Sequence, residues 1–86
     1  MSQGVERFLN SEGQLEAWPS KHADKQLTLE YLVTKFSKSQ TYTEQEVNDI
    51  LKAWHTFSDW PLLRRSLVDS GFLSRDRSGY AYQRVK

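Results

Sequence analysis

The 86-residue chain has no cysteine, two prolines, four glycines and two histidines. Without cysteine neither a disulfide framework nor a thiolate metal site can form, and a reducing cytoplasm is the expected setting. His22 and His55 are far apart and have no partner at ligand spacing, so no metal site is expected. The glycines are too scattered for a phosphate-binding loop or a dinucleotide fingerprint, and there is no G-x-S-x-G. No apolar run approaches the ~18 residues of a membrane helix, and the opening MSQGVERFLN has no signal-peptide core. These absences predict a cytoplasmic protein that is not an enzyme. They give no sign of a catalytic residue, a cofactor, a small-molecule substrate or a membrane partner.

What the chain does have is aromatic bulk, with three Trp, four Tyr and four Phe, enough for a folded domain rather than a disordered one. At this length one domain fits, burying roughly 60% of its unfolded surface. Residues 1–7 are polar and read as a flexible start, leaving 8–86 as the single domain. The formal net charge is +1, no global case for nucleic acid, but its distribution is uneven. Residues 1–58 hold six Lys/Arg against eight Asp/Glu, and residues 59–86 hold six against three. Five of the six arginines, Arg64, Arg65, Arg75, Arg77 and Arg84, lie in that second part. Such an asymmetry points towards polyanions, although a mixed solvated surface produces it too.

Local patterns supply the elements. A turn at Glu12-Gly13 precedes a short extended piece, Gln14–Trp18, stopped by Pro19. Leu29, Leu32, Val33 and Phe36 repeat at helical spacing and predict a helix over about 23–38, with Leu27 and Tyr31 on a second packed side. Ser37–Tyr42 reads as a polar connection. Thr43-Glu44-Gln45-Glu46 is a capping box, and Val47, Ile50, Leu51 and Trp54 give the next helix its apolar stripe. Ser58 or Asp59 caps a third helix with Pro61 in its first turn and Gly71 just past its end. Phe72–Arg75 and Tyr80–Arg84 flank Asp76-Arg77-Ser78-Gly79 as a β-hairpin. The expected fold is α+β and winged-helix-like: a short N-terminal strand, a three-helix core and a C-terminal hairpin wing.

FLNSEGQLEAWPSK, LEYLVTKF, YTEQEVNDIL and LLRRSLVDSGFLSRDRSGYAY together resemble domain-of-unknown-function family 2087. The most specific matches are Tyr42-Thr43-Glu44 with Glu46-Val47-Asn48, and Leu63-Arg64-Arg65 with Leu67-Val68-Asp69, Gly71, Arg75, Gly79 and Tyr80. The resemblance spans about 8–84. It implies a bacterial domain, found alone or attached to helix-turn-helix regulators and acetyltransferases, with a suspected regulatory or nucleic-acid role and no catalytic residues to carry over.

Two functional readings follow from the third helix and the wing. In the first, a nucleic-acid-binding or transcription-regulatory module, Arg65, Ser66, Arg75, Arg77 and Arg84 contact phosphate or base edges. In the second, a protein-interaction module, Trp60, Leu62 and Asp69 form the contact patch. Each arginine also has a structural reading. On a helical wheel Arg64 falls inside the apolar arc, suited to bracing the core against an acid such as Glu46 or Asp49. Arg65 can pair with Asp69 four residues on. The wing cations can simply protect a sheet edge. Tyr80 and Tyr82 alternate to one face, read as core. His55, at a helix end, can serve the helix dipole as a cation or pack as a ring.

Overall fold

The capping box forms as expected. Thr43 Oγ1 accepts from the Glu46 amide at 3.1 Å, and the Glu46 carboxylate accepts from the Thr43 amide at 2.8 Å. It opens helix α2, Glu44–Ala53, which buries Val47 and Leu51 completely and sets Ile50 and Trp54 against the core. The computed structural model describes residues 4–78 and 81–86. Around α2 it places α1, His22–Val33, and α3, Trp60–Asp69.

Helix α1 is shorter than its periodicity predicts. After Val33 the chain tightens: the Lys35 and Phe36 amides donate to the Leu32 and Val33 carbonyls, three residues back, at 3.0 and 3.1 Å. Phe36 nevertheless reaches the core, buried with Leu29, Leu32 and Val33. Helix α3 starts at Asp59, whose side chain accepts from the Leu62 amide, with Pro61 in the first turn. It ends in a Schellman motif. Gly71, at φ +80°, donates to the Val68 carbonyl, and the Phe72 amide reaches the Leu67 carbonyl. Phe72 and Leu67 are both buried, the apolar contact that accompanies this cap.

Strands β1 (Thr41–Thr43), β2 (Leu73–Arg75) and β3 (Ala81–Arg84) form an antiparallel sheet in the order β1-β3-β2. Leu73 pairs with Arg84 and Arg75 with Tyr82, so the predicted hairpin is present. Gly79 and Tyr80, read as its turn and as a core residue, lie outside the described residues. On the other side of β3, Tyr42 pairs with Tyr82. This third strand occupies part of what reads as a connection, and the sequence-based expectation missed it. The molecule is α+β, with three helices and one small sheet.

The expected N-terminal strand at Gln14–Trp18 does not form. Leu15 instead makes single bridges, antiparallel to Leu9 and parallel to His55. Its amide donates to the Trp54 carbonyl at 2.8 Å and its carbonyl accepts from the Thr56 amide at 2.9 Å. Gln14 Nε2 donates to the Ala53 carbonyl at 3.0 Å. Carbonyls at the C-terminal end of α2, which no intrahelical partner can satisfy, are thus met by a segment far upstream. The turn that positions it is the expected one, with the Asn10 side chain accepting from the Glu12 and Gln14 amides. Before it, within the stretch read as a flexible start, Val5–Phe8 make a 3₁₀ turn and Arg7 pairs with Asp24 at 2.5 Å.

His55 takes one of the two roles expected of it, the packed ring, and not the other. It is buried, Nε2 accepts from the Asp59 amide at 2.9 Å, and Nδ1 lies 2.5 Å from the Leu51 carbonyl. An amide can only donate, so Nε2 is the unprotonated nitrogen and Nδ1 carries the hydrogen. The ring is neutral and braces the α2–α3 connection; it is not a cation on the helix dipole. It also packs edge-on against Phe57, at 4.8 Å between centroids.

So small a core cannot enclose every ring, and cations cover the half-buried ones. Lys35 lies 3.9 Å from the Trp54 ring centroid and 4.6 Å from that of Tyr31, and Lys52 lies 4.4 Å from Trp60. The central test of this packing is Leu15, which is fully buried. Leu15→Ala should lower stability by about 2–5 kcal/mol, seen as an earlier urea midpoint with an unchanged m-value. A loss below about 1 kcal/mol would show that the backbone bridges alone hold the segment.

Candidate nucleic-acid interface

One side of α3 and the strands of the hairpin enclose a groove of about 490 Å³, lined by Pro61, Leu62, Arg64, Arg65, Val68, Asp69, Arg75 and Tyr82. Its shape follows from local rules. Residues 61, 65 and 68 recur at helical spacing and present one face of α3. Paired residues of an antiparallel ladder share a face, and Arg75 pairs with Tyr82. Both therefore sit on the sheet face that the helices cover, with Tyr82 buried and Arg75 at the exposed end.

The groove rests on a polar brace. Tyr82, 1% exposed, donates its hydroxyl to Glu44 Oε1 at 3.3 Å. Arg64 Nη1 lies 2.5 Å from Asn48 Oδ1 and 4.0 Å from Glu44 Oε2. Glu44 and Asn48 are one helical turn apart, so α2 offers both to α3 on one face. The anticipated partners of Arg64, Glu46 and Asp49, are otherwise engaged. Glu46 closes the capping box, and Asp49 accepts from Gln45 Nε2 at 2.8 Å. With its side chain 21% exposed, Arg64 is a structural brace that also lines the groove.

The structure divides the other sequence-predicted residues sharply. Arg65 and Arg75 both line the groove. The Arg65 side chain is 83% exposed and its Nε lies 3.9 Å from Asp69 Oδ2, the helix pair anticipated from spacing, worth a few tenths of a kcal/mol. Arg75 has no ion-pair or hydrogen-bond partner for its guanidinium among the described residues. Arg77 is exposed at the hairpin turn, outside the groove, and Ser66 is half-buried and likewise outside it.

Arg84 is the clear correction. Its Nη1 donates to the Phe36 carbonyl at 3.0 Å and its Nη2 to the Lys86 carbonyl at 3.3 Å, while Nε is buried with no partner among the described residues. Strand alternation puts Arg84 on the same face as Tyr82, where it ties β3 to the chain leaving α1. Its guanidinium is engaged by backbone carbonyls instead of standing open on the wing. Of the protein-contact residues, Leu62 and Asp69 line the groove, and Leu62 is half-buried rather than exposed; Trp60 lies elsewhere, beneath Lys52.

Among the described residues no three His, Asp or Glu side chains are grouped to hold a metal ion, and no helix is long and apolar enough to cross a membrane. A smaller hollow of about 260 Å³, lined by Gln40, Tyr42, Glu46, Asp49 and Ile50, carries acidic groups and lies apart from the cations. Pro61, Val68 and Tyr82 are groove residues that sequence reasoning did not assign. The wheel position of Val68 beside Arg64 was the available signal.

Residues 14–84 match the model of a bacterial family described as an uncharacterized protein conserved in bacteria, DUF2087. The chain belongs to DUF2087. The match takes in α1, α2, α3, all three strands and the Leu15 segment, so every groove residue of this DUF2087 domain falls inside it. No curated protein matches the chain, and no solved structure does.

The division between bracing and groove arginines has a direct test. Arg84→Gln should cost about 1–3 kcal/mol, because it strands a carbonyl beside the core. Arg65→Gln should change stability by no more than about 0.5 kcal/mol. Urea denaturation of the two variants reads the difference, and equal losses would overturn the division.

Proposed function

We propose that this DUF2087 domain is a non-enzymatic, winged-helix-like module that binds nucleic acid through the phosphate backbone, as a regulatory domain of transcription would. The observation that carries the reading is the convergence of Arg65 from α3 and Arg75 from the hairpin on one groove. The element order supports it. α2, a connection braced by His55, and α3 follow one another as in a helix-turn-helix, and β2 and β3 stand beside α3 as a wing, with β1 completing the sheet. Arginine forks match phosphate oxygens bidentately.

Contacts of this kind position a ligand without reading its sequence. The outer face of α3 supports that limit. Base-edge reading draws on several donors, and here Arg65 is the one long donor, with the acceptor Asp69 beside it. Arg77, exposed at the hairpin turn, adds long-range attraction. The rival reading, a protein-contact patch of Trp60, Leu62 and Asp69, is less well supported, because Lys52 covers Trp60, which is not part of the groove that the other two line.

Amide resonances followed during titration with a mixed-sequence DNA should shift over 62–69 and 75–84, and the shifts should fade as salt rises. Arg75→Gln should lower the slope of log affinity against log salt by about 1 and weaken all sequences alike. Binding indifferent to salt, or a silent spectrum at low salt, would overturn the proposal.

A further inference from the structure

We infer that the groove between α3 and the hairpin seats one strand of nucleic acid in single-stranded form, in preference to a duplex; this rests on the nucleic-acid reading above and narrows its ligand. The cations line a hollow instead of crowning a ridge. At about 490 Å³ the hollow is in the size range that encloses a nucleotide-sized ligand. A duplex is much too wide to enter it.

The lining has two chemistries. Arg65 and Arg75 supply positive charge that outweighs the single acid, Asp69, and Pro61, Leu62 and Val68 supply apolar surface. A single strand carries the complement of both. Its phosphates suit the guanidinium groups, and its unpaired bases gain by leaving water against aliphatic side chains. In a duplex those base faces are already stacked, so the apolar lining would be left without a partner.

The α3 wall of the groove in turn offers a duplex little. Asp69, exposed beside Arg65, can accept from cytosine but is repelled by the two phosphate rows that flank a major groove. Leu62 contributes no hydrogen bond there. A single strand has a lower charge density and a backbone free to turn away from Asp69. Selection among single strands should be weak and favour runs of poorly stacked pyrimidines.

Fluorescence anisotropy at low salt tests this with a labelled oligothymidylate and with its oligoadenylate duplex of equal length. The single strand should bind about tenfold more tightly. Arg65→Gln and Arg75→Gln should each weaken it about fivefold or more, and Arg77→Gln less than about twofold. Far-UV circular dichroism of the variants confirms that each is folded. Duplex affinity equal to or above that of the single strand would overturn this inference and leave the nucleic-acid reading standing. Binding of neither would overturn both. Equal displacement by poly-L-glutamate at matched charge would also overturn it, marking the groove as a site for acidic chains in general.

Discussion

The groove depends on the direction in which α3 leaves α2, and Leu15 sets that direction. Its buried side chain anchors a segment whose backbone bonds to both sides of His55, through the Trp54 carbonyl and the Thr56 amide. His55 then holds the far end of the connection through the Asp59 amide, the residue that caps α3. Connections between helices ordinarily lie on the surface with their polar groups in water. Here the Trp54 carbonyl, the Thr56 amide and the Asp59 amide are bonded within the protein, and the Leu15 segment that meets the first two is itself held by the core.

Tyr82 plays the corresponding part for the sheet. It pairs with Tyr42 on one side and Arg75 on the other, buries its ring, and sends its hydroxyl to the first residue of α2. Through Glu44, Asn48 and Arg64 the same region reaches α3. Both walls of the groove are thereby referred to one helix. A buried hydroxyl and a partly buried guanidinium would each be costly alone. Together with an acidic and an amide partner they are accommodated.

Much of this fold was legible in sequence because its signals are local. The capping box, the Pro61 start, the Gly71 stop and the apolar repeat of α2 are each set within a few residues, and all appear where expected. The hairpin was legible for the same reason. What failed required distant partners. β1 has three residues and runs into the α2 cap, too short for alternation to register, and it exists because β3 arrives from some forty residues away. Leu15 looked like part of a strand because it makes strand-like bonds, yet only at single positions. Charge alone could not separate Arg75 from Arg84. Alternation from Tyr82 would have placed Arg84 inward, but which end of that face opens to solvent depends on where α3 crosses. Arg65 was legible as a surface cation, and its meeting with Arg75 was not, since that is set by the sheet.

The tie from Arg84 to the Phe36 carbonyl has a mechanical consequence. A two-stranded hairpin attached only at its base would act as a hinged arm, swinging to clasp whatever lay beside it. This one is tied at its base to the chain leaving α1, and β1 pairs along β3 as far as Ala81, next to the turn, so the aperture is set when the domain folds. Any adjustment on contact then falls to the partner, and a pliant partner can conform to a fixed mould where a stiff one cannot.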